Sequence, residues 1–485
     1  MNTPDLALSD LGSYFPDDFT PEERAKAQTF FLKELAAGAH RFYRGKMESM
    51  PKAGFYGFNW FNVYYTPGVS VVSTSIRDDN DASFELSNRG NLVAVVSDST
   101  RVLGDGDVTP AGGLGVMEGK AFLMKYLGGV DGVALCVNSY NKEGKHDPDK
   151  IIDFVKMVEP SFGAVNLEDI SQPNCFKVLE TLREECDIPV WHDDAQGTAS
   201  VILAGITNAL RVVGKELNNV NVVLLGAGAA NSTTARLLLA DGADPERMVA
   251  IDVFGGVHKK RDDLRTDEAY ASVWKIAQST NPMCVDTAEE AFKGADIVIA
   301  ASKPGPDTIK PAWISSMAAK PILFACANPV PEIYPYAAKE AGAYVVATGR
   351  GDFPNQVNNS IGFPGILKGT LMVRARKITD KMAIAAAHAV ADYVQETGIS
   401  PERIMPSMQE TEVFAREAAD VAMQAIADGV ARVQLTWDEV YNTTLADIQE
   451  ARRTIALLQE SGHIATPDLK MLEDARDRAI AMVRK

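Results

Sequence analysis

Apolar residues in this chain gather into short unbroken runs separated by helical patterns and glycine-rich turns. Runs of that kind mark strands buried on both faces, as in parallel sheets. They fall at 91–97, 132–137, 164–165 and 188–190, and again at 219–225, 248–252, 295–301, 321–327 and 343–347. Between them the 3.6-residue period returns: at Val116–Lys125, at Pro173–Glu185, and at Thr198–Leu217 through Val201, Ile202, Ile206, Leu210 and Val213. Thr20-Pro21-Glu22-Glu23 is a helix start, and beyond Asp380 the pattern is helical almost throughout. The chain is therefore expected to be α/β, with an N-terminal α/β domain over 1–195, a doubly wound parallel sheet over 196–375, a helical N-terminal segment and a helical C-terminal segment over 376–485.

Chemistry concentrates where the runs end. Ala164-Val165 leads into Glu168-Asp169, and Ile188-Pro-Val190 leads into Asp193-Asp194, with Glu180 a less certain fifth acid on the helix between. Carboxylates at strand ends stand where open α/β sheets bind ligands, and two such ends joined by one crossover helix are neighbours if the strands are parallel. Carboxylates converging on one point repel unless a cation neutralises them. Oxygen donors without His or Cys favour Mg²⁺ or Mn²⁺ over zinc. Read blandly, Asp169 and Asp194 begin the helices that follow them.

The second half opens with strand, glycine turn and helix. Gly226 and Gly228 suit a pyrophosphate seated on a helix N-terminus, with Ala229 and Ser302 in the same cofactor set, and Asp252 ends the next strand. This predicts a Rossmann-like dinucleotide-binding domain. The Asp252 carboxylate suits ribose hydroxyls and repels a 2′-phosphate, favouring NAD while leaving NADP open. Asn231 stands where the third small residue of the fingerprint belongs, and Asp252 lies further along than the usual spacing of about 20 residues. Two amide-rich turns, around Asn328 and around Asn358-Asn359, can hold a carboxylate or carboxamide without adding charge.

Composition narrows the partners. A net charge of −17 without a basic run argues against nucleic acid and anionic membranes, and an anionic substrate then needs local cations, for which Arg101 and Lys120 are the candidates. Five scattered cysteines without a Cys-x-x-Cys suggest reduced thiols in a cytoplasm. No secretory leader and no apolar run of about 18 residues is seen. The aromatic-rich stretch Gly54–Gly68 reads as core or subunit interface, with Tyr65 beside its Thr-Pro-Gly turn as a candidate acid.

Taken in order, Tyr65-Thr-Pro-Gly, Gly90-Asn-Leu-Val-Ala-Val-Val-Ser-Asp, Met117-Glu-Gly-Lys-Ala, Asn166-Leu-Glu-Asp-Ile, His192-Asp-Asp-Ala-Gln-Gly-Thr-Ala, Gly226-Ala-Gly-Ala-Ala, Ala327-Asn-Pro-Val-Pro-Glu-Ile and Thr348-Gly-Arg-Gly-Asp-Phe-Pro-Asn-Gln-Val-Asn-Asn resemble the malic enzyme family from about Tyr64 to Lys377. The resemblance implies divalent-metal-dependent oxidative decarboxylation of L-malate to pyruvate and CO₂ with NAD or NADP, in a dimer or higher oligomer. By position it implies Glu168, Asp169 and Asp194 as metal ligands with catalytic Asp193 beside them, Lys120 as base and Tyr65 as acid. It also implies Arg101 on a substrate carboxylate, and Asn328, Asn358 and Asn359 as substrate-side amides, Asn328 also facing the cofactor. A Lys that is partly desolvated beside a metal is expected to have a lowered pKa.

One departure bears on the substrate. The family turn Leu-Gly-Leu-Gly is Leu103-Gly-Asp105-Gly here. An acid about 4 Å from a substrate carboxylate costs on the order of 4 kcal/mol at an effective dielectric near 20, roughly a thousandfold in affinity. Asp105 therefore points away, pairs with a cation, or marks another 2-hydroxy acid, such as one with a cationic group that Asp105 and the aromatics favour. A nucleotide-binding homologue without catalysis is a third reading.

Overall fold

The computed structural model describes residues 1–267 and 270–485. The chain divides into two compact units, Met1–Pro51 with Glu450–Lys485, and Lys52–Gln449. In the first, the helix Pro21–Tyr43 starts on a capping box in which Thr20 and Glu23 satisfy each other's backbone N–H groups. It packs on the helix Leu469–Val483 around Phe15, Phe31 and Ala479.

The second unit holds two sheets. The strands of the first are β1 (Leu92–Ser97), β2 (Asp131–Cys136), β3 (Ala164–Leu167) and β4 (Val190–His192), all parallel, in the order β2-β1-β3-β4. The second runs β10-β9-β8-β5-β6-β7, from β5 (Val222–Leu225), β6 (Met248–Asp252), β7 (Gly255–Val257), β8 (Ile297–Ala300), β9 (Ile322–Ala325) and β10 (Val345–Thr348). Nine strands lie on the apolar runs. The tenth, β7, pairs antiparallel with β6 through a glycine-rich segment that carries no strand pattern.

Sheet order fixes where ligands can sit. The order in which successive strands are added reverses between β1 and β3 in the first sheet and between β5 and β8 in the second, all four being parallel. The crevice for a ligand opens outside the carboxyl ends of strands at such switch points. The first switch point carries the Asp98 and Glu168-Asp169 ends, the second the glycine turn after β5. The helix Thr198–Val213 joins the sheets and stops at Gly214, which takes the left-handed conformation at φ 73°. The Ala-rich helices Asp380–Thr397 and Thr411–Ala427 pack together, the first also against Thr198–Val213 and the second against the helix Phe363–Met372. Among the described residues no helix is long and apolar enough to cross a membrane.

Candidate active site

Parallel pairing of β3 with β4 sets Leu167 opposite His192, so the two acidic pairs leave the sheet side by side. Asp169 takes a left-handed backbone at φ 53°. Its N–H donates to Asp194 Oδ2 at 2.7 Å, and its carbonyl accepts the Arg101 N–H at 3.0 Å. After β4 the chain makes one wide π turn, Asp193–Gly197. A β-carbon on Gly197 would stand 1.9 Å from Asp193 Oδ1, so only glycine lets that carboxylate fold back over the turn.

Carboxylate oxygens of Glu168, Asp169 and Asp194 lie within 4.8 Å of one another. Glu168 and Asp169 are buried, and Asp169 Oδ2 is buried without a hydrogen-bond partner among the described residues. Burial first, then the neighbouring carboxylates, hold the Glu168 carboxyl well above its usual range against the pull of Lys120. Burial and Asp194 push Asp169 up to about 8. Three hard oxygen donors, one orphaned, in a group that resists ionising alone, fit a divalent hard cation such as Mg²⁺ or Mn²⁺. Glu180 is exposed on the helix Asn174–Glu185 and is not part of the cluster.

Lys120 enters from the helix Leu114–Gly128. Its Nζ pairs with Glu168 Oε1 at 3.0 Å, with Asp193 Oδ2, and with Asn359 Oδ1 at 3.2 Å, and stands 4.4 Å from the centre of the Phe363 ring. Burial alone drives its pKa down, but Asp193 and Glu168 outweigh burial and the value is raised. The raised value is the effect of Asp193 and Glu168; the lowering expected from the sequence is that of a lysine beside a bound cation. Asn166 Nδ2 donates to Glu168 Oε2 at 2.9 Å and Trp191 Nε1 to Asp193 Oδ1 at 3.1 Å. Neither was singled out in the sequence. Each lies two residues before the acid it holds, on the same side of the extended chain, and that spacing is the signal that finds them.

Behind Asp193 lies Glu417, on the helix Thr411–Ala427, fully buried, with neither carboxylate oxygen hydrogen-bonded among the described residues. Gly365 makes room for it: a β-carbon there would stand 2.1 Å from Glu417 Oε2. Burial, then the charges of Asp193 and Asp420, raise its pKa well above the usual range.

Arg101 is exposed beside the cluster, with its guanidinium on the Leu103 carbonyl at 2.5 Å. The turn after it closes through Asp105 N–H to Val102 O at 3.0 Å, leaving the Asp105 side chain exposed. Asp107, the second acid of that turn, is tied to His146 Nε2 at 3.0 Å. Gly104 packs on the Asn328-Pro329 turn, where a β-carbon would lie 2.8 Å from Pro329 Cδ and 3.2 Å from the Asn328 carbonyl. Asn328 is exposed at that mouth. Asn358 accepts the Ser360 N–H on its side-chain oxygen at 2.9 Å as a helix cap, whereas the Asn359 side-chain oxygen faces Lys120. Tyr65 is 73% exposed and shares no described hydrogen bond or ring contact with the cluster.

At the second switch point Gly226 has φ 98°, and a β-carbon there would meet the Ala301 carbonyl at 2.5 Å. Gly228 precedes the helix Ala229–Ala240 without a side-chain cap, which leaves the N–H groups of the first turn for an anion. This cradle fits a pyrophosphate. Asn231 does not disturb it: buried, it donates from Nδ2 to the carbonyls of Gly226 at 2.9 Å and of Leu225 and Ile299 at 3.2 Å, locking the turn from beneath. Ser302 gives both its N–H, at 2.8 Å, and its hydroxyl, at 3.0 Å, to buried Glu332. Asp252 ends β6 and accepts the Phe254 N–H at 2.7 Å.

Residues 58–183 match the family model for the malic enzyme N-terminal domain, and residues 195–427 the model for the malic enzyme NAD-binding domain. A crystal structure of Entamoeba histolytica malic enzyme is 58% identical, superimposes with a TM-score of 0.98, and is covered in full by, and covers in full, this chain. The bifunctional malic/malolactic enzyme of Bacillus subtilis is 41% identical over 85% of this chain and 98% of its own length. The NAD-dependent malic enzyme of Geobacillus stearothermophilus is 42% identical over 80% of this chain and 78% of its own.

Proposed function

Since this chain belongs to the malic enzyme family, we propose that it carries out divalent-metal-dependent oxidative decarboxylation of L-malate to pyruvate and CO₂, reducing NAD or NADP. The observation that carries this reading is the meeting of Glu168, Asp169 and Asp194 within 4.8 Å, with Lys120 Nζ 3.0 Å from one of them. These three carboxylates would hold Mg²⁺ or Mn²⁺, which when bound supplies Lewis-acid polarisation of the substrate oxygens and offsets the negative field that keeps Lys120 protonated.

Lys120, aimed by Asp193 and Asn359, would take the C2-hydroxyl proton, and a nicotinamide bound at the glycine turn would supply the hydride acceptor for C2. Loss of CO₂ from the resulting 2-oxo acid leaves an enolate, which Tyr65 protonates at C3 to give pyruvate. Arg101 takes a substrate carboxylate, and Asn328 and Asn359 supply neutral donors. Gly226, Gly228 and Ala229 seat the pyrophosphate. Asp105 is exposed, so nothing in its placement favours a different hydroxy acid over malate.

Tyr65 lies among exposed aromatics, Phe55, Tyr56, Phe58 and Phe61. An apolar face of this density marks an interaction surface. A second copy of the chain covers it in our reading and takes Tyr65 to its own Lys120, making the enzyme an obligate oligomer. The five cysteines are unpaired, which supports a reducing, cytoplasmic setting. The test is spectrophotometric: reduced cofactor should form from L-malate with Mn²⁺, with pyruvate as product. Oxidation of a different hydroxy acid with none of malate would defeat the assignment.

A further inference from the structure

Asp252, where a dinucleotide's adenosine ribose is expected, does not stand alone. Arg261, just past the β6–β7 hairpin, grips it with NH1 on Oδ1 at 3.2 Å and NH2 on Oδ2 at 3.1 Å. The same guanidinium gives Nε to Asp263 Oδ1 at 2.7 Å and NH2 to Asp263 Oδ2 at 2.6 Å, and NH1 also reaches the Gly256 carbonyl at 3.2 Å. A guanidinium has five N–H donors, and these five contacts employ them all. Two carboxylates share one cation, so the triad carries a net charge of −1.

The two carboxylates differ in exposure. The side chains of Asp252 and Arg261 are 13% and 14% exposed, that of Asp263 51%. Asp263 thus lies on the open side and covers the Nε/NH2 edge of Arg261, the edge a phosphate would need for bidentate capture. Hydrogen bonding to Arg261 holds the Asp263 carboxyl below its usual range, so the cover is charged at neutral pH. Lys259 and Lys260 are exposed just before the guanidinium.

We propose that Asp263 sets the cofactor preference by occupying the Arg261 guanidinium, so that the ribose end of the site takes the uncharged 2′-hydroxyl of NAD and rejects the 2′-phosphate of NADP. This rests on the reading of the glycine turn as a dinucleotide site. Asp252 keeps acceptor capacity on Oδ2 for a hydroxyl, whereas a 2′-phosphate finds net negative charge and no free guanidinium donor. Removing the Asp263 charge raises the triad from −1 to neutral and frees two donors. Lys259 and Lys260 then add to the attraction.

The test is calorimetric titration of the full-length enzyme with 5′-AMP and with adenosine 2′,5′-bisphosphate, which differ only in the 2′-phosphate. Wild type should prefer 5′-AMP. D263N, which keeps the side-chain shape, and D263A should each shift the ratio of the two dissociation constants toward the bisphosphate by about tenfold or more. Adding R261A to D263N should abolish the shift, and the NADP/NAD ratio of kcat/KM should move in parallel. A wild-type preference for the bisphosphate, or equal changes in both affinities in the Asp263 variants as a merely structural role predicts, overturns this inference alone. Binding of neither nucleotide to wild type overturns the dinucleotide reading and this inference with it.

Discussion

Replacing Glu417 by glutamine asks whether a carboxylic acid is carried uncharged behind Asp193. The side chain is fully buried and its oxygens lack hydrogen-bond partners among the described residues. Burial and Asp193 therefore raise its folded pKa well above the ordinary 4.5. A carboxyl with a raised folded pKa lends its full stability below the unfolded value and loses it as pH climbs toward the folded one, because the unfolded chain ionises first. Within that window wild type loses about 1.4 kcal/mol per pH unit relative to Glu417→Gln. Between pH 5.5 and 7.5 the difference in unfolding free energy should thus move in favour of the variant. The new amide adds a constant offset, from a buried donor that needs a partner, but no slope. Urea unfolding of both proteins across that range measures the slope, and infrared difference spectra at pH 5.5 should show a protonated carboxyl band that E417Q lacks. A flat difference together with no such band would refute the reasoning.

Four further expectations follow. Lys120→Ala should lower kcat by roughly 10²–10⁴-fold, the range of a general base. Mixing it with Tyr65→Phe subunits should restore about a quarter of wild-type activity if each site draws its tyrosine from the other copy of a dimer; no recovery on mixing would place Tyr65 in its own chain's site. Asp169→Asn should weaken Mn²⁺ binding, followed by calorimetry, at least about tenfold, since it removes one of three charged ligands; unchanged affinity would dissolve the metal reading. Asn231→Gly, which brings the turn nearer the textual fingerprint, should destabilise by about 1–3 kcal/mol, because three carbonyls lose their donor. A neutral or stabilised variant in thermal unfolding would show that the lock is dispensable.

Much of this architecture was legible in the chain. Buried parallel strands advertise themselves as unbroken apolar runs, and nine of ten were found that way. The acids at the ends of β3 and β4 could be paired before any coordinates, because parallel neighbours joined by one helix must end together. What escaped was whatever depends on a partner distant in sequence. Asn231 departs from the glycine fingerprint and reads as a defect until its three carbonyl partners are seen. Asn358 and Asn359 are indistinguishable as neighbours in an amide-rich turn, yet one caps a helix and the other accepts from Lys120. Glu417 sits in an Ala-rich helix where a glutamate normally marks the solvent face, and only the space at Gly365 turns it inward. β7 lacks a strand pattern because its pairing is set by the hairpin after β6.

Asp169 carries one more consequence. Through its own peptide it grips Asp194 on one side and the Arg101 backbone on the other, so the loop we propose for the organic anion and the carboxylates we propose for the cation share a single hinge pin. Neither can drift without dragging its neighbour. Attempts to re-tailor this enzyme for longer or shorter acids by editing the arginine loop should therefore register first as altered metal affinity, and only afterwards as altered selectivity.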